Sequence, residues 1–94
     1  MSDLDLPVFT REMDGGAGMQ HIYRFPNGFG MSVVRGPYTY GGPEGLWEVA
    51  ILDADGRLTY TSGITEDVIG HLTWADVEAL MERVRMLEPG YEAP

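Results

Sequence analysis

Apolar and polar residues alternate along the first half of the chain. From Met19 to Phe25, and again from Phe29 to Arg35, most large apolar residues fall on every second position, which is the period of a half-buried β-strand. Pro26-Asn27-Gly28 between the two runs is a typical turn, because Pro fixes φ and Gly accepts a left-handed conformation. The pattern predicts a β-hairpin in which Phe25 pairs with Phe29. We expect its core face to carry Met19, His21, Tyr23, Phe25, Phe29, Met31 and Val33.

A second apolar run, from Gly45 to Leu52, enters an Asp-Gly turn and returns as a short segment ending at Tyr60. An Asp-Gly turn between two such runs is the strongest short-range signal of a hairpin. A two-residue turn pairs Ile51 with Tyr60, whereas a three-residue turn pairs Leu52 with Leu58. We favour the first register because it gathers the large apolar residues on one face. That face carries Trp47, Val49, Ile51, Leu58 and Tyr60.

The last third of the chain has the period of a helix. One apolar stripe is formed by Trp74, Val77, Leu80, Met81, Val84 and Leu87. Thr73 is the predicted N-cap, with Asp76 at the capping-box position, and Pro89-Gly90 ends the helix. We interpret residues 64–72 as a connector with a short helical turn, capped by Thr65 and ended by Gly70.

Together these elements predict an α+β fold, a four-stranded antiparallel β-meander with one C-terminal helix packed on one face. The single domain spans residues 19–88, and residues 89–94 form a tail. Residues 1–18 are expected to be a flexible segment that could add an edge strand or lie across the sheet. The sheet face opposite the helix carries Ile22, Val34, Leu46, Ala50 and Leu52. It needs a cover, which the N-terminal segment, a second copy or a partner could supply.

Composition narrows the function classes. The 94 residues contain 15 acidic side chains against six arginines and no lysine, which gives a net charge of −9, and they contain no cysteine. This charge disfavours direct binding to a nucleic-acid backbone, which needs a basic footprint. The lack of cysteine removes disulfides and thiolate metal sites. Neither a membrane-spanning run nor a signal peptide is recognisable, so we expect no membrane partner and a cytoplasmic location.

No motif predicts catalysis. His21 and His71 lack the spacing of metal ligands. The Asp53–Gly56 turn lacks the remaining oxygen ligands of a calcium loop. The glycines at 41–45 lack the Lys-Ser/Thr and the following helix of a phosphate-binding loop. We therefore expect a protein that is not an enzyme and uses neither a cofactor nor a metal.

The candidate binding site is the Gly- and Pro-rich loop at residues 36–45, since loops of this length are often functional. Tyrosine and arginine dominate binding hot spots. The candidate binding residues are Arg35, Tyr38, Tyr40 and Glu44. Two interpretations stay open: the tyrosine rings contact a partner, or they fold back and cap the edge of the sheet.

Four stretches carry a resemblance: His21–Arg35, Tyr40-Gly41-Gly42, Gly45–Leu52 and Ile64–Thr73. Over about residues 19–87 the chain resembles a family of small uncharacterised proteins of bacteriophages and prophages, many from high-GC hosts. The absence of lysine agrees with a GC-rich source. The resemblance implies an origin, but no activity and no site residues.

Our leading hypothesis is a small acidic phage accessory protein of the host cytoplasm. It would bind a host or phage protein through the loop at residues 36–45 or through the open sheet face. One alternative is a virion or assembly component that acts by self-association, in keeping with a possible homodimer. Another is a small-molecule or nucleotide-signal binding protein with Arg24 and Arg35 as anion contacts.

Overall fold

The computed structural model describes residues 7–59 and 68–91. Within them lies one antiparallel sheet in the order β1-β2-β3-β4-β5, followed by one helix. The elements are β1 (Phe9–Met13), β2 (Gly18–Arg24), β3 (Gly30–Arg35), β4 (Trp47–Leu52), β5 (Ile69–Leu72) and α1 (Trp74–Arg85). The α+β class and the C-terminal helix are confirmed, but the sheet has five strands rather than four.

The first hairpin forms in the predicted register. Phe25 N donates to Phe29 O at 2.8 Å, Tyr23 lies opposite Met31 and His21 lies opposite Val33. The predicted core face is buried at Tyr23, Phe25, Phe29, Met31 and Val33. Met19 and His21, which lie further from the turn along β2, are only half-buried.

The register that we favoured for the second hairpin is wrong. After β4 the chain returns through a single bridge between Leu52 and Leu58, which is the pairing of the three-residue turn. The Asp53 carboxylate holds this wider turn, since its Oδ1 accepts from Asp55 N at 2.9 Å and from Arg57 N at 3.0 Å. Leu58 is 47% exposed and does not join the core. The expected position of Tyr60 lies outside the described residues.

The neighbour of β4 is instead β5, in the stretch that we interpreted as a connector. Leu72 lies opposite Trp47 and Ile69 opposite Val49, so β5 holds one extra residue there. This bulge, with His71 at a φ of 56°, turns both apolar side chains of β5 towards the core. Gly70 therefore lies inside a strand and does not end a helical turn. The expected cap at Thr65 lies outside the described residues.

The sheet begins in the N-terminal segment. Strand β1 pairs with β2 along its whole length, from Phe9 opposite Ile22 to Met13 opposite Gly18. A short 3-10 turn at Asp14–Gly16 joins the two strands. Two placements are expected for residues 1–18, and the structure shows the edge strand.

Helix α1 begins as predicted. Thr73 Oγ1 accepts from Asp76 N at 3.2 Å, and Asp76 Oδ2 accepts from Thr73 N at 3.0 Å, which is a complete capping box. The buried side of the helix packs on β3, β4 and β5 and consists of Val77, Leu80, Met81 and Val84. No helix in the described parts of the chain is long and apolar enough to cross a membrane.

The opposite side of the sheet has no helix or strand over it among the described residues. We call the centre of this side the open face. It carries two rows of side chains on β1 to β4, namely Arg11, Gln20, Val34 and Glu48, and Phe9, Ile22, Ser32 and Ala50. Apart from the exposed Arg11 and Phe9, these residues are half-buried.

Candidate functional site

The loop from Gly36 to Gly45, here called the tyrosine loop, joins β3 to β4 at one end of the sheet. Tyr38 is 87% exposed and Tyr40 is 65% exposed. Their rings therefore stand in solvent and do not cap the edge of the sheet. Glu44, in a short 3-10 turn of the same loop, is also exposed.

The main chain of the tyrosine loop is fixed by its own hydrogen bonds. Gly36 N and the Thr39 hydroxyl oxygen lie 3.0 Å apart, and the same hydroxyl is 3.0 Å from Gly36 O. Gly42 N donates to Thr39 O at 3.0 Å, and Leu46 N donates to Gly41 O at 2.9 Å. Gly36 and Gly41 are buried, so the loop has a packed interior of backbone beneath its exposed tyrosines.

Two further hydrogen bonds join the loop to the sheet at Tyr40. His71 N in β5 donates to Tyr40 O at 3.0 Å, and Tyr40 N donates to Glu48 Oε2 in β4 at 3.3 Å. Glycine permits this close approach, because a Cβ at Gly70 would overlap Tyr40. A Cβ at Gly42 would likewise overlap the carbonyl of Gly36 within the loop. Gly42 and Gly70 thus permit close packing of the backbone that a larger residue would block.

Arg35 lies beside the loop, but unlike the tyrosines it contacts another side chain of the fold. Its guanidinium carbon lies 4.5 Å from the centroid of the Trp47 ring, within the range of a cation–π contact. Trp47 contacts Trp74 at the start of α1, with ring centroids 5.1 Å apart. His21 lies 5.6 Å from Trp47 and 6.3 Å from Trp74. We call His21, Trp47 and Trp74 the aromatic cluster.

His21 also contacts the edge strand. Its Nδ1 lies 2.9 Å from Thr10 Oγ1 in β1. Burial in the cluster, and then the positive charge of Arg35, lower the pKa of His21 from its ordinary value of 6.5. The neutral imidazole is therefore the form that this site favours.

The structure does not bring together the two arginines considered as anion contacts. Arg24 lies at the end of β2 opposite to Arg35, since it pairs with Gly30 whereas Arg35 pairs with Met19. Its guanidinium donates to the carbonyls of Asp53, Gly28 and Ala54 at 3.0, 3.3 and 2.9 Å. Arg24 thus links the turn at Gly28 to the turn at Asp53 and Ala54, which is a structural role.

Two depressions in the described surface are lined by residues outside the tyrosine loop. One, of about 350 Å³, is a wide groove between β5 and α1 with an apolar floor that includes Ile69 and Leu80. Another, of about 270 Å³, separates the turns at Gly28 and Ala54 near Tyr91. Within residues 7–59 and 68–91, no three histidine or acidic side chains stand close enough together to hold a metal ion.

The aromatic cluster was missed at the sequence level. Trp47 and Trp74 were each assigned to an apolar face, but their contact depends on how α1 crosses the sheet. No pattern within either segment predicts the contact between the two tryptophans. No protein-family model matches the chain, and no curated protein or solved structure is significantly similar to it.

Proposed function

We propose that the chain is a non-enzymatic binding module whose tyrosine loop contacts a partner protein. The observation that carries this proposal is the pairing of two strongly exposed tyrosines with a hydrogen-bonded, packed main chain. A tyrosine supplies a large contact area with few rotatable bonds. A loop that is already ordered loses little entropy when it binds, so more of the contact energy appears as affinity.

Charge indicates the kind of partner surface. Glu44 lies on the loop and Glu48 at its base, against the single positive charge of Arg35 beside it, and the chain carries a net charge of −9. A basic partner surface would be drawn to this end of the molecule, and salt would slow the association. The resemblance to phage proteins supports a host or phage protein as the partner, in the cytoplasm of an infected host.

The nucleotide-binding alternative has less support. Arg24 is engaged with three carbonyl oxygens, and Arg35 stacks on Trp47 at the other end of the sheet. A phosphate would meet these two cations separately. Two separate cations form a weaker anion site than two converging ones.

The test compares three forms of the full chain as bait in a lysate of a prophage-carrying bacterium. They are the native protein, Tyr38→Ala/Tyr40→Ala, and Tyr91→Ala as a control outside the loop. We expect the native and control baits to recover the same proteins, and the double variant to recover them at least about tenfold less, as for loss of a hot spot. Circular dichroism and thermal melting verify that all three baits are folded. Equal recovery by the three baits, or no specific recovery by the native one, contradicts the proposal.

A further inference from the structure

The open face has an unusual arrangement of charge. In its first row, Arg11 stands on β1 and Glu48 on β4, with Gln20 and Val34 between them. Three strand spacings separate the two charges, about 14 Å. Arg11 Nε donates to Gln20 and Glu48 accepts from Tyr40 N. Among the described residues, neither has a side chain of opposite charge as its partner.

We propose that two copies of the chain stack through their open faces, about a two-fold axis that runs nearly parallel to the strands. This rotation places β1 of one copy over β4 of the other. Arg11 then faces Glu48 of the second copy, and Glu48 faces Arg11 of the second copy. A two-fold interface requires a surface that is complementary to itself, and this row has that property.

The second row is complementary in volume under the same rotation. Phe9, which is 53% exposed, comes to lie over Ala50 of the second copy. Ile22 comes to lie over Ser32 of the second copy. A large side chain thus meets a small one at each position, as in the interdigitated core of a β-sandwich, where two sheets pack about 10 Å apart.

The polar groups in the middle of the open face already have partners within the chain. Arg11 Nε donates to Gln20 Oε1 at 2.6 Å, and Gln20 Nε2 donates to Ser32 Oγ at 2.9 Å. Burying hydrogen-bonded groups costs far less than burying unpaired ones. The face can therefore be covered without new hydrogen bonds to its centre.

Charge also favours a second copy on this side. The two rows of the open face contain one arginine and one glutamate, in a chain of net charge −9. Two copies would repel through most of their surfaces, but not through this one. The open face measures roughly 19 Å by 20 Å, from four strands of five to seven residues. Because a standard interface buries about 800 Å² per partner, we expect a reversible dimer at micromolar concentrations.

Sedimentation equilibrium of the full chain tests the proposal between about 5 and 500 μM, the range that brackets a weak interface. The native mass should rise with concentration towards twice that of the single chain. Arg11→Glu alone and Glu48→Arg alone should each remain monomeric. An equimolar mixture of these two variants should dimerise again, because each mixed pair sets a glutamate opposite an arginine at both contacts.

Matched controls change the net charge equally on the other side of the molecule. Arg83→Glu and Glu78→Arg lie at exposed positions of α1 and should associate like the native chain. Circular dichroism verifies the fold of each variant. A native chain that stays monomeric overturns the proposal. So do charge variants that dimerise like the native chain, or a mixture that does not recover association.

Discussion

His21 is partly buried, contacts two aromatic rings and lies near a charged side chain. Its ring lies against both Trp47 and Trp74, its Nδ1 contacts Thr10 on the edge strand, and the positive charge of Arg35 lies near it. Burial and the charge of Arg35 both favour the neutral ring. An additional positive charge on His21 would be poorly solvated and would face Arg35.

Stability should depend on the protonation of His21. Its pKa in the folded chain lies below the ordinary 6.5, so the unfolded chain takes up this proton first as the pH falls. The contribution of the neutral ring is complete above about pH 6.5 and is lost as the pH falls through the folded-state pKa. We expect the free energy of unfolding to drop more between pH 7 and pH 5 in the native chain than in His21→Gln.

Urea unfolding at the two pH values measures this difference, and the common effect of the carboxylates cancels between the two proteins. NMR titration of the His21 ring checks the cause. A midpoint at or above 6.5 in the folded native chain would refute the explanation.

At the scale of elements, the end of α1 depends on a distant turn. Asn27 lies in the first hairpin, and its Nδ2 is within hydrogen-bond distance of the carbonyls of Val84, Arg85 and Leu87, at 2.8, 3.2 and 2.9 Å. Its Oδ1 accepts from Phe29 N at 3.0 Å. One amide thus supplies donors to carbonyls at the end of the helix, where intrahelical donors run out, and it closes its own turn as well. Val84 O also accepts from Leu87 N at 3.2 Å.

Asn27→Ala should therefore lower the free energy of unfolding by about 1–3 kcal/mol, the cost of leaving part-buried carbonyls unpaired. Urea denaturation measures the change. Asn27→Asp is the discriminating variant, because it retains the acceptor for Phe29 N, loses the donors and adds a negative charge near the negative end of the helix. If Asn27→Asp were as stable as the native chain, the contact with α1 would contribute nothing.

The elements that could be predicted are those with local signals. Pro26-Asn27-Gly28 sets the first hairpin, and Thr73 with Asp76 sets the start of α1. The hydrophobic pattern predicts the wrong register for the second hairpin, because the Asp53 side chain holds the wider turn. Strand β5 was missed because Ile69 and Leu72 are three residues apart, a helical spacing that only a bulge makes compatible with a strand.

The candidate site could also be predicted only where a local pattern marks it. The composition of residues 36–45 marks an irregular loop, and its tyrosines are exposed. Its attachment through His71 and Tyr40 depends on β5, a partner far along the chain. Arg35 was grouped with the tyrosines by its position in sequence, whereas the fold places it on Trp47.

For the whole molecule, stability should be graded across the sheet. Strand β3 has neighbours on both sides, and its Met31 and Val33 are fully buried. Strand β1 is an edge, and its residues from Phe9 to Glu12 are exposed. Amide hydrogens exchange fastest where little apolar surface holds an element in place. We therefore expect slow exchange in β3 and fast exchange in β1.

Hydrogen–deuterium exchange followed by mass spectrometry measures this gradient at sub-micromolar concentrations, below those at which the proposed dimer would form. The amides of α1 that follow Val77 serve as an internal reference, because the buried side of this helix packs on the central strands. Equal protection of β1 and β3 would show that the edge strand belongs to the same cooperative unit as the core.

The contact between Trp47 and Trp74 gives the molecule a built-in optical probe. The chain contains two tryptophans, and both lie in this pair, with ring centroids 5.1 Å apart. Tryptophan emission thus comes from one place, beside Arg35, His21 and the base of the tyrosine loop. A proton on His21 and the departure of α1 each alter the surroundings of the same two rings. Fluorescence can therefore follow protonation and unfolding in the unlabelled protein.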